Sequence, residues 1–151
     1  MQTTLYQLEL DYSNIDCGMS YVFHLQDGRF FILDGGYCTP GEEDRLYDFL
    51  KERCEGKPVI AGWFFSHAHD DHIGNFIQLI NKYREKVVIE KLIYNFQSID
   101  LPDFECDWKS SSPAIVREFY RIVDKFTSFF YHIYNSRPSE LCEHEKHSSE
   151  C

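Results

Sequence analysis

Four side chains within six residues, His67, His69, Asp71 and His72, form the strongest chemical feature of this sequence. Neutral imidazole and carboxylate are the side chains that hold divalent transition metals. His67 and His69 are two apart, so in extended chain they point to the same side. Their ring nitrogens can then grip one cation at about 2.0–2.1 Å. Asp71 and His72 follow where the chain turns, and can reach toward a second cation about 3.5–4 Å from the first. Two cations sharing a water acidify it and polarise the group under attack. A shuffled sequence of this composition would show the four-residue pattern in about one chain per thousand, so a chance polar turn is a weak alternative.

The elements around the motif suit that chemistry. Residues 59–65 form a near-continuous apolar run after Pro58, which predicts a buried strand. Residues 67–72 then form a turn, and Ile73, Phe76, Ile77 and Ile80 predict a helix over 73–83. Upstream, Tyr6, Leu8 and Leu10 alternate with polar residues, and the apolar runs 19–25 and 30–33 are joined through Asp27-Gly28, a hairpin signal. The second run stops at Asp34-Gly35-Gly36. Thr39, Pro40 and Glu42 predict a capping box for a helix with Leu46, Phe49 and Leu50 on its apolar face, ending near residues 54–56. Residues 87–89 and 92–94 read as one strand or two short ones. Residues 98–111 are irregular. A long helix opens at Ser112-Pro113, with Val116, Phe119, Tyr120, Val123, Phe130 and Tyr134 along one side. Alternating strands and helices give an α/β class. Residues 1–136 are expected to form one domain and 137–151 a frayed polar tail.

With these elements in place, His67, His69, Asp71 and His72 resemble the signature of the metallo-β-lactamase fold superfamily. Ser66 before them and Ile73-Gly74-Asn75 after them match a common form of it. The resemblance covers roughly residues 5–93, and its 66–75 stretch is similar to the soluble hydrolase domain of DNA-uptake competence proteins. It implies an αββα sandwich, of which this chain carries the N-terminal half and a long C-terminal helix, binding one or two metals, usually zinc. It also implies that His67 and His69 ligate the first metal and Asp71 and His72 the second, with Asp71 orienting the attacking water. Asp34-Gly35-Gly36 resembles the family stretch that ends an early strand, in which the Asp supports the ligands from behind.

The sequence departs from the family after its long helix. In the family, the third histidine of the first site, a bridging Asp and a final histidine come from later strands. Here the downstream candidates are His132 on the predicted helix and Cys142, His144 and His147 in the charged tail. Each is a weak candidate to complete the site. A half-sandwich would expose an apolar sheet face, which favours self-association. His24 belongs in the hairpin strand.

Composition narrows the partners. The 151 residues carry a net charge of −10 and 43% hydrophobic residues. The acidity and the absence of a Lys/Arg cluster disfavour nucleic acid, without excluding it at a metal site. The six cysteines form no C-x-x-C pair and the N-terminus has no secretory pattern, which predicts reduced thiols. No run approaches the length of a membrane span, and a cytoplasmic location is expected. Three functions follow. One is a zinc-dependent hydrolase of a small-molecule or phosphodiester substrate. The second is an inactive, truncated remnant that binds metal weakly or binds a protein partner. The third is an enzyme that processes nucleic acid.

Overall fold

The structure is a computed structural model and describes residues 2–8, 19–96 and 113–127. Six strands form one sheet: β1 (Thr4–Gln7), β2 (Tyr21–His24), β3 (Phe30–Leu33), β4 (Val59–Phe65), β5 (Val88–Ile89) and β6 (Leu92–Tyr94). Three helices accompany them: α1 (Glu42–Lys51), α2 (Asp70–Tyr83) and α3 (Pro113–Thr127).

The chain first folds on local signals. β2 and β3 pair antiparallel through the expected Asp27-Gly28 turn, closed by Leu25 N–H to Arg29 O at 2.8 Å. β1 adds antiparallel to β2. β3 then pairs parallel with β4, the geometry that requires a crossover, and α1 supplies it. β4 pairs parallel with β5 near its start and with β6 at its end. The 87–94 region is therefore two short strands along one edge of β4.

The helices share one face of the sheet. Val22, Ile32, Ile60, Trp63 and Phe65 from the strands meet Leu46 and Leu50 of α1, Ile73, Phe76 and Leu79 of α2, and Val116 and Phe119 of α3 in one buried core. A ring cluster lies within its aliphatic surroundings: Phe76 packs edge-on against Trp63 and Phe65, and Phe119 against Phe65 and Tyr94. Each such side chain contributes about 1.5–3 kcal/mol by leaving water. Among the described residues, Phe30, Trp63, Phe65, Phe76 and Phe119 are the rings that this core buries. On the opposite face Phe23, Phe31, Leu33 and Ile93 are only half-buried and Phe64 is 38% exposed. Among the described residues, an apolar sheet face that is only half-buried agrees with the expectation of a partial sandwich.

Two helix starts differ from the sequence reading. The N-cap of α1 is Gly41, without a side-chain cap, rather than Thr39. Thr39 contributes its carbonyl to Glu42 N–H, and the Glu43 carboxylate accepts from Gly41 N–H at 2.9 Å. α1 also ends at Lys51, short of residues 54–56. α2 begins at Asp70 rather than Ile73, so Asp70, Asp71 and His72 form its first turn. Two acids there suit the positive end of the helix dipole. α3 buries Val116, Phe119, Ile122 and Val123; Phe130 and Tyr134 lie outside the described residues.

The motif is held by how closely α2 approaches the segment after β3. Asn75 N–H donates to Gly36 O at 3.0 Å, and the Gln78 side-chain amide donates to Cys38 O at 2.8 Å. Gly74 makes this approach feasible, since a Cβ there would lie 2.8 Å from Cys38 N and Cβ. Backbone cannot rotate away, so Gly74→Ala is expected to destabilise the chain by about 1–3 kcal/mol through overpacking. On an open helix face the same change would stabilise by about 1 kcal/mol. Urea denaturation decides between the two; an unchanged or raised midpoint would contradict this packing.

Candidate metal centre

The candidate centre sits where β4 ends and α2 begins. Ser66 and His67 leave β4, whose buried residues fix that strand end in the sheet. His69 is the N-cap of α2 in extended conformation. The helix then places Asp71 and His72 in its first turn, where His72 N–H and Ile73 N–H both bond to His69 O. One rigid strand end and one helix start thus aim all four side chains at a common region.

Within that region, ligand atoms of His67, His69 and Asp71 all lie within 4.8 Å of one another. His67 Nε2 faces His69 Nδ1 at 3.1 Å. His72 stands beside them, its ring 3.7 Å from that of His67, with its Nε2 3.3 Å from Asp71 Oδ2. Asp71 therefore lies with the first histidine pair as well as with His72. Among the described residues, His67, His69 and Asp71 are the one group of three or more donors that meets this spacing. His24 lies in β2, stacked on Phe30 and away from the group. His132, Cys142, His144 and His147 lie outside the described residues.

Behind the imidazoles stands a buried carboxylate. Asp34 is 5% exposed and follows β3 with φ of 54°, a left-handed conformation that Asp tolerates better than most residues. Several bonds hold it there. Its N–H donates to Phe64 O at 2.7 Å, extending the β3–β4 ladder, and its carbonyl accepts from the Trp63 indole N–H at 3.2 Å. Its carboxylate accepts Ser66 N–H at 2.8 Å and lies 2.9 Å from His72 Nδ1. Ser66 Oγ lies 2.9–3.0 Å from both Asp34 oxygens, 2.8 Å from His67 Nδ1 and 3.2 Å from His72 Nδ1. The next residue, Gly35, lies against α2: its N–H bonds to His72 O, and a Cβ there would lie 3.0 Å from Phe76 N. Asp34 is marked in the sequence by its Asp-Gly-Gly stretch, whereas Ser66 carries no assigned role there. The only signal for Ser66 was a hydroxyl beside the first histidine.

A model of the metallo-beta-lactamase superfamily matches residues 16–120. The chain belongs to that superfamily. Members of the metallo-β-lactamase superfamily bind metal, and the matched span contains the whole His67–His72 cluster with its Asp34 support. No curated protein matches the chain. None of the described helices is long and apolar enough to cross a membrane.

The residues present fit the metal that this superfamily implies. Ligands about 2.0–2.1 Å from a tetrahedral ion lie about 3.3 Å apart, and the His67–His69 nitrogen pair at 3.1 Å is already near that. The donor set of two imidazoles and a carboxylate suits a borderline cation such as zinc.

Charge state favours binding as well. Burial, and after it the positive charge available on His72 and His69, hold the His67 imidazole below its ordinary value of 6.5. A depressed folded value means that the unfolded chain takes up this proton first. The resulting stability is present above about pH 6.5 and is lost as pH falls through the folded value. The metal-free chain should accordingly lose urea resistance below about pH 6.5, and His67→Gln should make that slope shallower. An identical slope in the variant would contradict the assignment.

Proposed function

We propose that this chain is a metal-dependent hydrolase module that holds one zinc ion through His67, His69 and Asp71. The observation that carries the reading is the convergence of these three donors within 4.8 Å at the β4–α2 corner. Three protein ligands with one position left open is the usual arrangement of a catalytic zinc. When bound, zinc supplies Lewis acidity and acidifies a water. The protein's own groups do the rest. His67 and His69 present neutral nitrogens from a fixed strand end. Asp71 gives one carboxylate oxygen to the ligand set and keeps the other to orient the attacking water. His72 stands beside Asp71, its Nε2 3.3 Å from Asp71 Oδ2, and packs against the His67 ring. Asp34 anchors His72 from behind.

The substrate class is an activated carbonyl or phosphorus ester. The net charge of −10 supports a small molecule over a nucleic acid, whose backbone an acidic surface repels.

Metal analysis of the purified chain, together with esterase and phosphodiesterase screens, tests this reading. About one zinc per chain is expected, with turnover that disappears on chelation and returns with zinc. His67→Ala should weaken zinc binding by at least about 100-fold and abolish turnover, since it removes a ligand. Substoichiometric metal in the wild type with no turnover would overturn the reading and leave a non-catalytic module.

A further inference from the structure

The Ser66 hydroxyl has more neighbours than it has protons, and that count has a consequence. A serine hydroxyl offers one proton and two lone pairs. Four atoms surround it: Asp34 Oδ1 and Oδ2 at 3.0 and 2.9 Å, His67 Nδ1 at 2.8 Å and His72 Nδ1 at 3.2 Å. A carboxylate only accepts, so the single hydroxyl proton goes to Asp34. The two lone pairs then remain for two donors, and the only donors these neighbours can offer are the N–H groups of His67 Nδ1 and His72 Nδ1. His72 Nδ1 also lies 2.9 Å from Asp34 Oδ2, so the carboxylate holds the same proton independently. His67 Nδ1 has the hydroxyl as the partner that the structure gives it.

We propose that Ser66 is a positioning residue that passes the charge of Asp34 to His67 and fixes its ring as the Nδ1–H tautomer. A neutral imidazole protonated on Nδ1 has its lone pair on Nε2. That is the nitrogen of His67 that faces His69 Nδ1 at 3.1 Å. His72 Nδ1–H is likewise turned to Asp34, which leaves its Nε2 on the side of Asp71 at 3.3 Å. One buried anion thus turns the Nε2 atoms of two imidazoles inward, His72 directly and His67 through the hydroxyl. The geometry also predicts an asymmetry. Removing the hydroxyl frees His67 but leaves His72 held by Asp34. Ser66 is exposed, so a threonine has room for its extra methyl while keeping the hydroxyl.

The tautomers themselves do not depend on the zinc reading, but their effect on zinc affinity rests on it. The test uses the full chain labelled with 15N-histidine, metal-free in chelator at about pH 8.5, where imidazoles are neutral. Long-range 1H–15N correlation separates protonated from bare ring nitrogens. Each ring is assigned from its own His→Gln variant. In the wild type, Nδ1 of both His67 and His72 should be protonated. Ser66→Ala should return His67 toward the Nε2–H form that an unconstrained imidazole favours in water, with His72 unchanged. Ser66→Thr should restore His67. Zinc affinity, by competition with a chromophoric chelator, should fall about 10–100-fold in Ser66→Ala and recover in Ser66→Thr.

A wild-type His67 protonated on Nε2 would overturn the proposal, as would a His67 tautomer unchanged in Ser66→Ala. Should Ser66→Ala lose its far-UV dichroism, the wild-type and Ser66→Thr spectra decide alone. If the tautomers behave as stated and zinc binds neither wild type nor variant, the zinc reading fails and the positioning role stands.

Discussion

The carboxylate of Asp34 is the contact on which the site depends. It is buried, and a buried charge survives only when hydrogen bonds replace its water. Here the bonds come from the Ser66 backbone and hydroxyl and from the His72 ring. Those partners belong to the end of β4 and the first turn of α2, while Asp34 itself ends β3. Three elements are therefore joined at one anion. The histidines are fixed relative to one another because the strand end and helix start that carry them are fixed to the same group. The backbone bond of Gly35 to His72 O repeats the linkage one residue on.

This arrangement explains how a short motif can hold four polar side chains together without collapsing into ordinary ion pairs. The strand end is pinned by the aromatic core, in which Trp63 and Phe65 are essentially fully buried. The helix start is pinned by the close approach of Gly74 to Cys38. Trp63 serves both tasks, since its ring packs against Phe76 while its indole N–H holds the Asp34 carbonyl. Packing on one face of the sheet thus sets geometry at its edge, and the half-buried opposite face takes no part in it. The depressed His67 value follows from the same crowding, because burial and two neighbouring imidazoles both disfavour its cation.

The motif was legible in the sequence because its spacing alone encodes direction: two histidines alternate along extended chain, and the apolar run before them announces a buried strand. The hairpin at Asp27-Gly28 was legible from turn chemistry. The start of α2 lies three residues before the one its apolar spacing predicts, because Asp70 and Asp71 read as turn while their charges also favour a helix N-terminus. The α1 cap misled for a related reason: Thr39 and Glu42 have the spacing of a capping box, yet Gly41 takes the cap position. Asp71 was paired in the sequence with His72 alone, whereas the helical turn brings it to His67 and His69 too. Ser66 could not be read at all as a partner of Asp34. The two are 32 positions apart, and only the parallel register of β3 with β4 brings those strand ends together.

The most direct test of the central claim is X-ray absorption at the zinc edge of the loaded chain. A centre built on His67, His69 and Asp71 predicts nitrogen and oxygen scatterers at about 2.0–2.2 Å, with the outer-shell pattern of two imidazoles. Sulfur scatterers at about 2.3 Å, or an all-oxygen shell without imidazole features, would contradict it.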